Sequence, residues 1–189
     1  MLRGLLLAPP GAGKGTQGEL LAAAYKVPHL ATGDLLREQV EAGSAIGAEA
    51  SSFMDRGELV PDRLVLALVR EQVAGAPGFV LDGFPRTLIQ AQQAYEWGVA
   101  NQRTFHAVIS LMVPHDELVR RVLGRAQISG RSDDTAETIG RRLRVYAEAT
   151  EPLLDYYRGR GILLEVDGTG AVDEVTGRIR RLLDPLDLD

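Results

Sequence analysis

The residue of this sequence best suited to chemistry is a lysine inside a glycine-rich stretch. Lys14 follows Gly11 and Gly13 and precedes Gly15, and an apolar run, residues 5–8, comes just before them. Glycines let a backbone turn tightly and direct several N–H groups at one anion, and the helix that follows adds its positive N-terminal dipole. The chemistry expected here is the binding of a nucleotide polyphosphate. A glycine-rich strand-to-helix turn that binds no ligand is the alternative.

The match of this stretch to the phosphate-loop pattern G-x-x-x-x-G-K-[ST] is incomplete. Gly13 and Lys14 fit the pattern. Ala8 stands where the first glycine belongs, and Gly15 stands where Ser or Thr belongs, so Thr16 offers its hydroxyl one residue late. A methyl group at residue 8 requires a negative φ there, and we therefore expect the loop to begin its turn in a conformation open to any L-residue.

A second set of polar residues follows an apolar segment in the middle of the chain. Residues 79–81 are strand-like, and the stretch Asp82-Gly83-Phe84-Pro85-Arg86-Thr87 comes directly after them. In open parallel sheets the ligand lies just beyond the carboxyl ends of the strands. Asp82 and Arg86 are therefore expected to face loop residues 11–14. An isolated Asp-Gly turn is the alternative.

The overall composition narrows the class of protein. A chain of 189 residues, 45% of them hydrophobic, suffices for one α/β domain with a continuous core. There is no basic-then-apolar leader and no apolar run near the roughly 20 residues of a membrane span, so we expect a soluble, cytoplasmic protein without a membrane partner. The chain has no cysteine and three scattered histidines, at positions 29, 106 and 115. Zinc is therefore not expected, and any metal should be a hard ion that arrives with phosphate.

The charged residues point to phosphate rather than to nucleic acid. A formal net charge of −5 argues against a general electrostatic attraction to nucleic acid. Lys14 and Lys26 are the only lysines, so nearly all positive charge is arginine, whose planar fork suits bidentate contacts to phosphate. An arginine-rich genome composition would produce the same bias at surface positions.

Alternating apolar strands and amphipathic helices must position these residues. Strands are predicted at residues 2–8, 28–31, 79–81, 105–113 and 162–166, and helices at 14–25, 32–43, 44–55, from 61, from 87 to about 97, at 115–123, from 134 to about 150, and at 172–183. Residues 31–60 are interpreted as a helical insertion, and the polar stretch 126–133 as a lid. Leu20, Leu21 and Ala24 are expected to face inward from the first helix, and Pro152 to break or kink the helix before it.

Four blocks of the sequence resemble the adenylate kinase family of the short-lid type, and together they extend along essentially the whole chain. The blocks are Pro10-Gly11-Ala12-Gly13-Lys14-Gly15-Thr16-Gln17, Thr32-Gly33-Asp34-Leu35-Leu36-Arg37, the stretch 82–87, and Gly130-Arg131-Ser132-Asp133-Asp134 with Arg141-Arg142-Leu143. A glycine after the lysine is usual in this family, so Gly15 is a family trait. Ala8 is a departure from the family pattern, and so is Gly140, where many relatives have a basic residue.

The resemblance implies an enzyme that transfers a phosphoryl group between ATP and AMP to give two ADP, with Mg²⁺ on the polyphosphate and no zinc. It implies an α/β fold, with a P-loop NTPase-like five-stranded parallel sheet flanked by helices. The core domain would comprise residues 1–30, 61–123 and 135–189, with a monophosphate-binding segment at 31–60 and a short lid at 124–134. The partners would be ATP, AMP and ADP, and the protein a monomer.

The resemblance also implies roles for individual residues. The ATP site would contain Gly11, Ala12, Gly13, Lys14, Gly15, Thr16, Arg121, Arg125 and Gly170. The AMP site would contain Thr32, Arg37, Glu58, Leu59, Val60, Gly83, Phe84, Pro85, Arg86, Gln90, Arg131 and Arg142. The cations that act on the transferred group would be Lys14, Arg86, Arg121, Arg131 and Arg142. Asp82 would hold Mg²⁺ through water, together with Thr16.

Several alternatives stay open on the sequence. A UMP/CMP kinase would have nearly the same arginines, although the amide of Gln90 matches the donor and acceptor of adenine's edge and the pyrimidine kinases typically have alanine in place of Thr32. A GTPase-like switch lacks support because no Asn-Lys-x-Asp segment is present. The complete arginine set argues against an inactive scaffold. Pairing with the helix dipole alone would account for Arg120, Arg121 and Arg125 at the predicted end of their helix.

Overall fold

The apolar segments form five parallel strands, β1 (Arg3–Leu7), β2 (His29–Ala31), β3 (Phe79–Asp82), β4 (Ala107–Met112) and β5 (Leu163–Asp167). They build one sheet in the order β2-β3-β1-β4-β5. The architecture is that of a computed structural model, which describes residues 1–129 and 136–188 without the side chains of residues 125–129 and 136. The prediction of a five-stranded parallel sheet is confirmed.

Helices connect the strands and cover both faces of the sheet. In the part of the chain that the structure describes they are α1 (Lys14–Tyr25), α2 (Thr32–Glu41), α3 (Ala45–Asp55), α4 (Asp62–Ala74), α5 (Leu88–Ala100), α6 (His115–Ser129), α7 (Ala136–Val145), α8 (Leu153–Arg158) and α9 (Val172–Leu183). None of these helices is long and apolar enough to cross a membrane. Residues 31–60, predicted to be a helical insertion, contain α2 and α3.

The hydrophobic core has two halves, one on each face of the sheet. Neighbouring residues of a strand point to opposite faces, so Leu5 and Leu6 of β1 belong to different halves. Leu5 packs in the same cluster as Leu68 of α4. Leu6 packs in the cluster that contains Leu21 of α1 and Ile179 of α9. All three leucines of β1 are almost fully buried, and this central strand therefore fixes the position of the loop that follows it.

The inward face of α1 differs from the prediction. Leu21 is buried as expected, but Leu20 and Ala24 are exposed. The small residue Gly18 faces inward instead. A side chain would collide with His29 there, since a Cβ at this position would lie 2.2 Å from Nε2 of that imidazole. The close approach of α1 to β2 therefore determines which face of this helix is buried. The pattern of apolar residues in α1 does not determine it alone.

The helix that starts at His115 is longer than predicted. It was expected to end at Leu123, with a polar loop beginning at residue 126, but α6 extends to Ser129. Its additional residues include arginine, alanine and glutamine, which are good helix formers, and polarity alone does not end a helix. The rest of the predicted loop, with the expected helix cap at Asp134, lies outside the described residues.

The predicted kink at Pro152 takes the form of a π-helical turn. Residues Tyr146–Thr150 continue α7 with the wider π repeat, and Glu151 N–H donates to the Tyr146 carbonyl, five residues back, at 2.8 Å. Pro152 has no N–H to continue the α-helical pattern, and α8 begins immediately after it. The chain therefore changes its helical repeat beside the carboxyl edge of the sheet, and Tyr146 and Thr150 both line the cleft there.

Candidate active site

The carboxyl ends of two neighbouring strands open into a polar cleft. β1 and β3 pair in register, with Leu6 opposite Asp82, so the loops that follow them lie side by side. The cleft has a volume of about 460 Å³. Its charged lining contains the predicted cations from both loops and from more distant helices, namely Lys14, Arg37, Arg86, Arg121 and Arg142. Such a concentration of positive charge is suited to polyphosphate.

Backbone conformation shapes the glycine-rich loop. Gly11 and Gly13 have φ values of +87° and +95°, a region that favours glycine. At Gly11 space is also lacking, because a Cβ would lie 2.6 Å from Cγ2 of Val122. Gly13 is the N-cap of α1 and offers no side-chain cap, and the first turn of α1 carries no acidic residue. The helix N–H groups at the cleft therefore suit an anion.

The two residues that depart from the general phosphate-loop pattern fit this loop without strain. Ala8 is almost fully buried and is not among the residues with positive φ, as predicted. Gly15 and Thr16 are exposed at the start of α1 and line the cleft. Lys14 lies beside them, and its ammonium donates to the Pro9 carbonyl at 3.3 Å, which places it over the loop.

Asp82 ends β3 at the floor of the cleft. Its carboxylate is mostly buried, and its Oδ1 atom makes no hydrogen bond within the described residues. Its backbone carbonyl accepts a hydrogen bond from Thr32 Oγ1 at 3.1 Å. The next residue, Gly83, has φ +83°, and a Cβ there would lie 2.5 Å from that same hydroxyl. The chain therefore leaves β3 tightly against Thr32, and Oδ1 of Asp82 is buried without a hydrogen-bond partner among the described residues.

Arg86 is held at three of its own atoms. Its N–H donates to Gln90 Oε1 at 2.7 Å, its Nε donates to the Gly83 carbonyl at 2.6 Å, and its carbonyl accepts from Thr150 Oγ1 at 2.9 Å. Arg86 is exposed in the cleft, and nearby protein atoms partly desolvate its guanidinium. This desolvation lowers the pKa of Arg86, Asp82 opposes the change, and Arg37 adds to it. An arginine remains charged at neutral pH despite such a change.

Gln90 is buried, and both ends of its amide are bound to protein. The oxygen accepts from Arg86, and Nε2 donates to Oδ1 of Asp62 at 2.6 Å. Asp62 begins α4 and was not predicted as a site residue. No sequence signal indicates it, since an acidic residue in the first turn of a helix is explained by the helix dipole alone. The two contacts fix which end of the amide is oxygen and which is nitrogen.

Arg121 comes to the cleft from α6. Its Nε donates to Glu117 at 2.7 Å and its Nη1 donates to the Gly168 carbonyl at 3.1 Å. Hydrogen bonds from Arg121 and then from Arg120 lower the pKa of Glu117, so this carboxylate is ionised at neutral pH. Because α6 continues to Ser129, Arg120 and Arg121 lie in its middle, and pairing with the C-terminal helix dipole does not account for them.

A smaller cavity of about 80 Å³ adjoins the main cleft. Its lining brings together most of the residues expected at the AMP site: Thr32, Arg37, Glu58, Leu59, Val60, Gly83, Arg86, Gln90 and Arg142. Arg37, Arg86 and Arg142 also line the main cleft. The two cavities therefore lie side by side, with three arginines lining both.

The remaining predicted residues lie elsewhere. Pro85 lines the main cleft, whereas Phe84 and Ala12 are buried beneath their loops. Gly170 has φ +96° in the turn between β5 and α9 and lines neither cavity. The side chain of Arg125 and the whole of Arg131 lie outside the described residues.

Comparison with known proteins gives the family. The family model for adenylate kinase matches residues 6–162. The chain belongs to the adenylate kinase family. Membership confirms the predicted fold and the predicted activity of a nucleoside monophosphate kinase, a phosphotransferase.

Similar proteins align along nearly the full chain. An adenylate kinase of Leptospira biflexa is 45% identical over 182 residues, which is 95% of this chain and 98% of that protein. An adenylate kinase of Thermus thermophilus is 49% identical over 179 residues, 95% of each. One from Thermobifida fusca is 44% identical over 180 residues, 94% of this chain and 95% of that protein. The similarity therefore extends over the whole adenylate kinase architecture.

Proposed function

We propose that the main cleft binds ATP, that the smaller cavity binds AMP, and that the γ-phosphoryl group moves between them at the junction to give two ADP. The observation that carries the proposal is the adjoining pair of cavities, with Arg37, Arg86 and Arg142 lining both. A nucleotide in each cavity would bring two phosphate chains together at these three cations. The reaction needs this approach of two anions, and the arginines reduce their repulsion.

The chemistry requires no general base. The acceptor is a phosphate oxygen, and a phosphate monoester with a second pKa of about 6 is already an anion at neutral pH. Lys14 and the loop N–H groups would hold the ATP phosphates, and Arg121 would bind them from α6. Arg86 and Arg142 would stabilise the charge on the transferred phosphoryl group. Catalysis would rest on electrostatic stabilisation and in-line positioning, with Arg131 as a further predicted cation.

The residues at the floor of the cleft fit Mg²⁺. Bound with ATP, Mg²⁺ would neutralise phosphate charge, and it usually keeps several waters. Asp82 has a carboxylate oxygen without a hydrogen-bond partner at that place, and Thr16 lines the same cleft. Asp82 would therefore hold water ligands of Mg²⁺, and Thr16 would bind it directly or through water. Within residues 1–129 and 136–188, no three His, Asp or Glu side chains are grouped to hold a structural metal ion.

Gln90 would read the base of the monophosphate. After its bonds to Arg86 and Asp62, its amide still has one N–H and one oxygen lone pair. These match the ring nitrogen and the amino group of adenine, whereas uracil presents a different pattern. Asp62 would contribute by fixing the orientation of the amide. Thr32 would add a hydroxyl in the same cavity.

Two segments would move during the reaction, residues 31–60 over AMP and residues 124–134 as the lid, while the remaining residues form a fixed core. Loop closure commonly excludes water from phosphoryl transfer and sets turnover. One described contact joins a predicted moving segment to the helix after the lid: Arg141 of α7 donates to Glu58 at 3.4 Å. Arg56 and, more weakly, Arg141 lower the pKa of Glu58, which keeps this contact charged. Gly124 would serve as a hinge. We place the enzyme in the cytoplasm, as a monomer.

The decisive experiment is a coupled assay of ADP formation with ATP, Mg²⁺ and each nucleoside monophosphate in turn. We expect kcat/KM for AMP to exceed that for CMP or UMP by about a hundredfold or more, and no transfer once Mg²⁺ is removed, whereas zinc-selective chelation should change nothing. Gln90→Ala should reduce this ratio of kcat/KM values, mainly by weakening the binding of AMP. Gln92→Ala, at an exposed position of the same helix, is the matched control.

Each outcome separates the candidates. Comparable efficiencies for AMP and CMP in the unchanged protein would assign it to the pyrimidine kinases. Nucleotide-dependent binding of a protein partner without ADP formation would favour the GTPase-like switch.

A further inference from the structure

We propose that Thr150 is a positioning residue for phosphoryl transfer, and that it acts by holding Arg86 in register with Arg142. The proposal rests on the function proposed above, in which both arginines act on the transferred group. Thr150 is not among the residues predicted from the sequence, and its hydroxyl donates a hydrogen bond to the Arg86 carbonyl at 2.9 Å. The two residues are 64 positions apart in the chain.

The contact is placed where a small displacement would matter. Thr150 is 4% exposed, so its hydroxyl does not exchange freely with water. Without that donor the Arg86 carbonyl would lose its partner in a part-buried hydrogen bond, which costs some stability. Gln90 already binds the N–H of the same residue. Arg86 thus has one backbone group fixed by α5 and the other fixed by Thr150.

The π-helical turn explains how one helix supplies both Arg142 and Thr150 to the cleft. In a regular α-helix, with about 100° per residue, two residues eight positions apart differ by about 80° around the axis. A single π turn adds one residue to the repeat, which leaves about 20° between them. Both residues line the main cleft, in agreement with this estimate. The π turn therefore places the arginine and the threonine on the same face.

The hydrogen bond connects two elements that must cooperate. Arg142 is carried by α7, which follows the predicted lid, and Arg86 is carried by the loop that follows β3. The Nη atoms of an arginine reach the transferred group only if its backbone is correctly placed, and a misplacement of about 1 Å can cost about a hundredfold in rate. Thr150 sets this relative placement through the Arg86 carbonyl.

The test compares Thr150→Val with Thr150→Ser in the full-length enzyme. Valine keeps the shape of threonine and removes the hydroxyl, whereas serine keeps the hydroxyl and removes the methyl. We expect Val to lower kcat by about tenfold, with the KM for ATP little changed and the melting temperature lowered by only a few degrees, and Ser to stay within about twofold of the unchanged enzyme. Equal losses in Val and Ser would mean that the methyl group matters, and would overturn the proposal.

A double mutant separates positioning from a general effect on the fold. If Thr150 acts through Arg86, the loss caused by Thr150→Val should disappear in an Arg86→Ala background, because no guanidinium remains to be placed. Multiplicative losses in the double variant would contradict the proposal, and so would normal kcat in Thr150→Val alone. An unchanged enzyme that makes no ADP from ATP and AMP would instead refute the proposed function, so the two failures are distinguishable.

Discussion

The two walls of the cleft bind phosphate by different means. On the side of Lys14, backbone conformation does most of the work: glycines at positive φ and the N-terminus of α1 point N–H groups at the ligand. On the side of Arg86, side chains do it, since Gln90 and Thr150 hold the backbone of the arginine from two different helices. One wall is built from consecutive residues and the other from residues far apart in the chain.

This difference predicts how each wall fails. A local backbone site is sensitive to any side chain added to its glycines, and insensitive to distant changes. A site held by side chains depends less on the individual residues of its own loop. It loses precision, however, when a remote hydrogen bond is removed. Three sets of variants test the comparison, in order of decreasing effect.

The largest effect is expected from removing one cation on either wall. Lys14→Ala and Arg86→Ala should each lower kcat by at least about a hundredfold, because each removes charge that acts most strongly in the transition state. The melting temperature should change little. Arg160→Ala is the control, because this arginine contacts aromatic rings instead. Its Cζ atom lies 4.2 Å from the ring centre of Tyr95 and 4.1 Å from that of Tyr156. A folded variant with near-normal turnover would remove its residue from the catalytic set.

A matched pair of glycine substitutions sharpens the backbone side of the comparison. Gly11→Ala and Gly13→Ala both force alanine into positive φ, which costs about 1–2 kcal/mol. At Gly11 the new methyl also meets Val122 and the Leu118 carbonyl, whereas at Gly13 no atom lies within 4 Å. We therefore expect urea unfolding to show a further loss of about 1–3 kcal/mol in Gly11→Ala. Equal stability of the two variants would show that positive φ alone explains the need for glycine at both positions.

The smallest effect is expected at the start of the loop. Ala8 has no positive φ, so Ala8→Gly releases no strain and should change the KM for ATP by less than about twofold. The same substitution should lower stability slightly, because glycine gains more freedom in the unfolded chain. A large gain in ATP affinity would show that the methyl group holds the loop in a suboptimal conformation.

Much of the fold could be read from the sequence because its signals are local. Apolar segments bounded by turn residues indicated all five strands, and Ser44 indicated the start of α3, where its hydroxyl accepts from the Gly47 N–H at 3.0 Å. The phosphate loop is local in the same way, because its glycines and its lysine are neighbours in the chain. The predicted end of α6 is wrong because a polar composition does not by itself end a helix.

The sequence by itself determined the sheet, the phosphate loop and the types of residue that carry positive charge. Only the tertiary structure decided which face of α1 is buried, because that depends on the approach of His29 to Gly18. It also decided what holds Arg86 and Gln90. Asp62 and Thr150 lie 28 residues from Gln90 and 64 residues from Arg86, and a hydrogen bond across such a separation leaves no periodic pattern in the sequence. The partner is chosen by packing, after the helices have been placed.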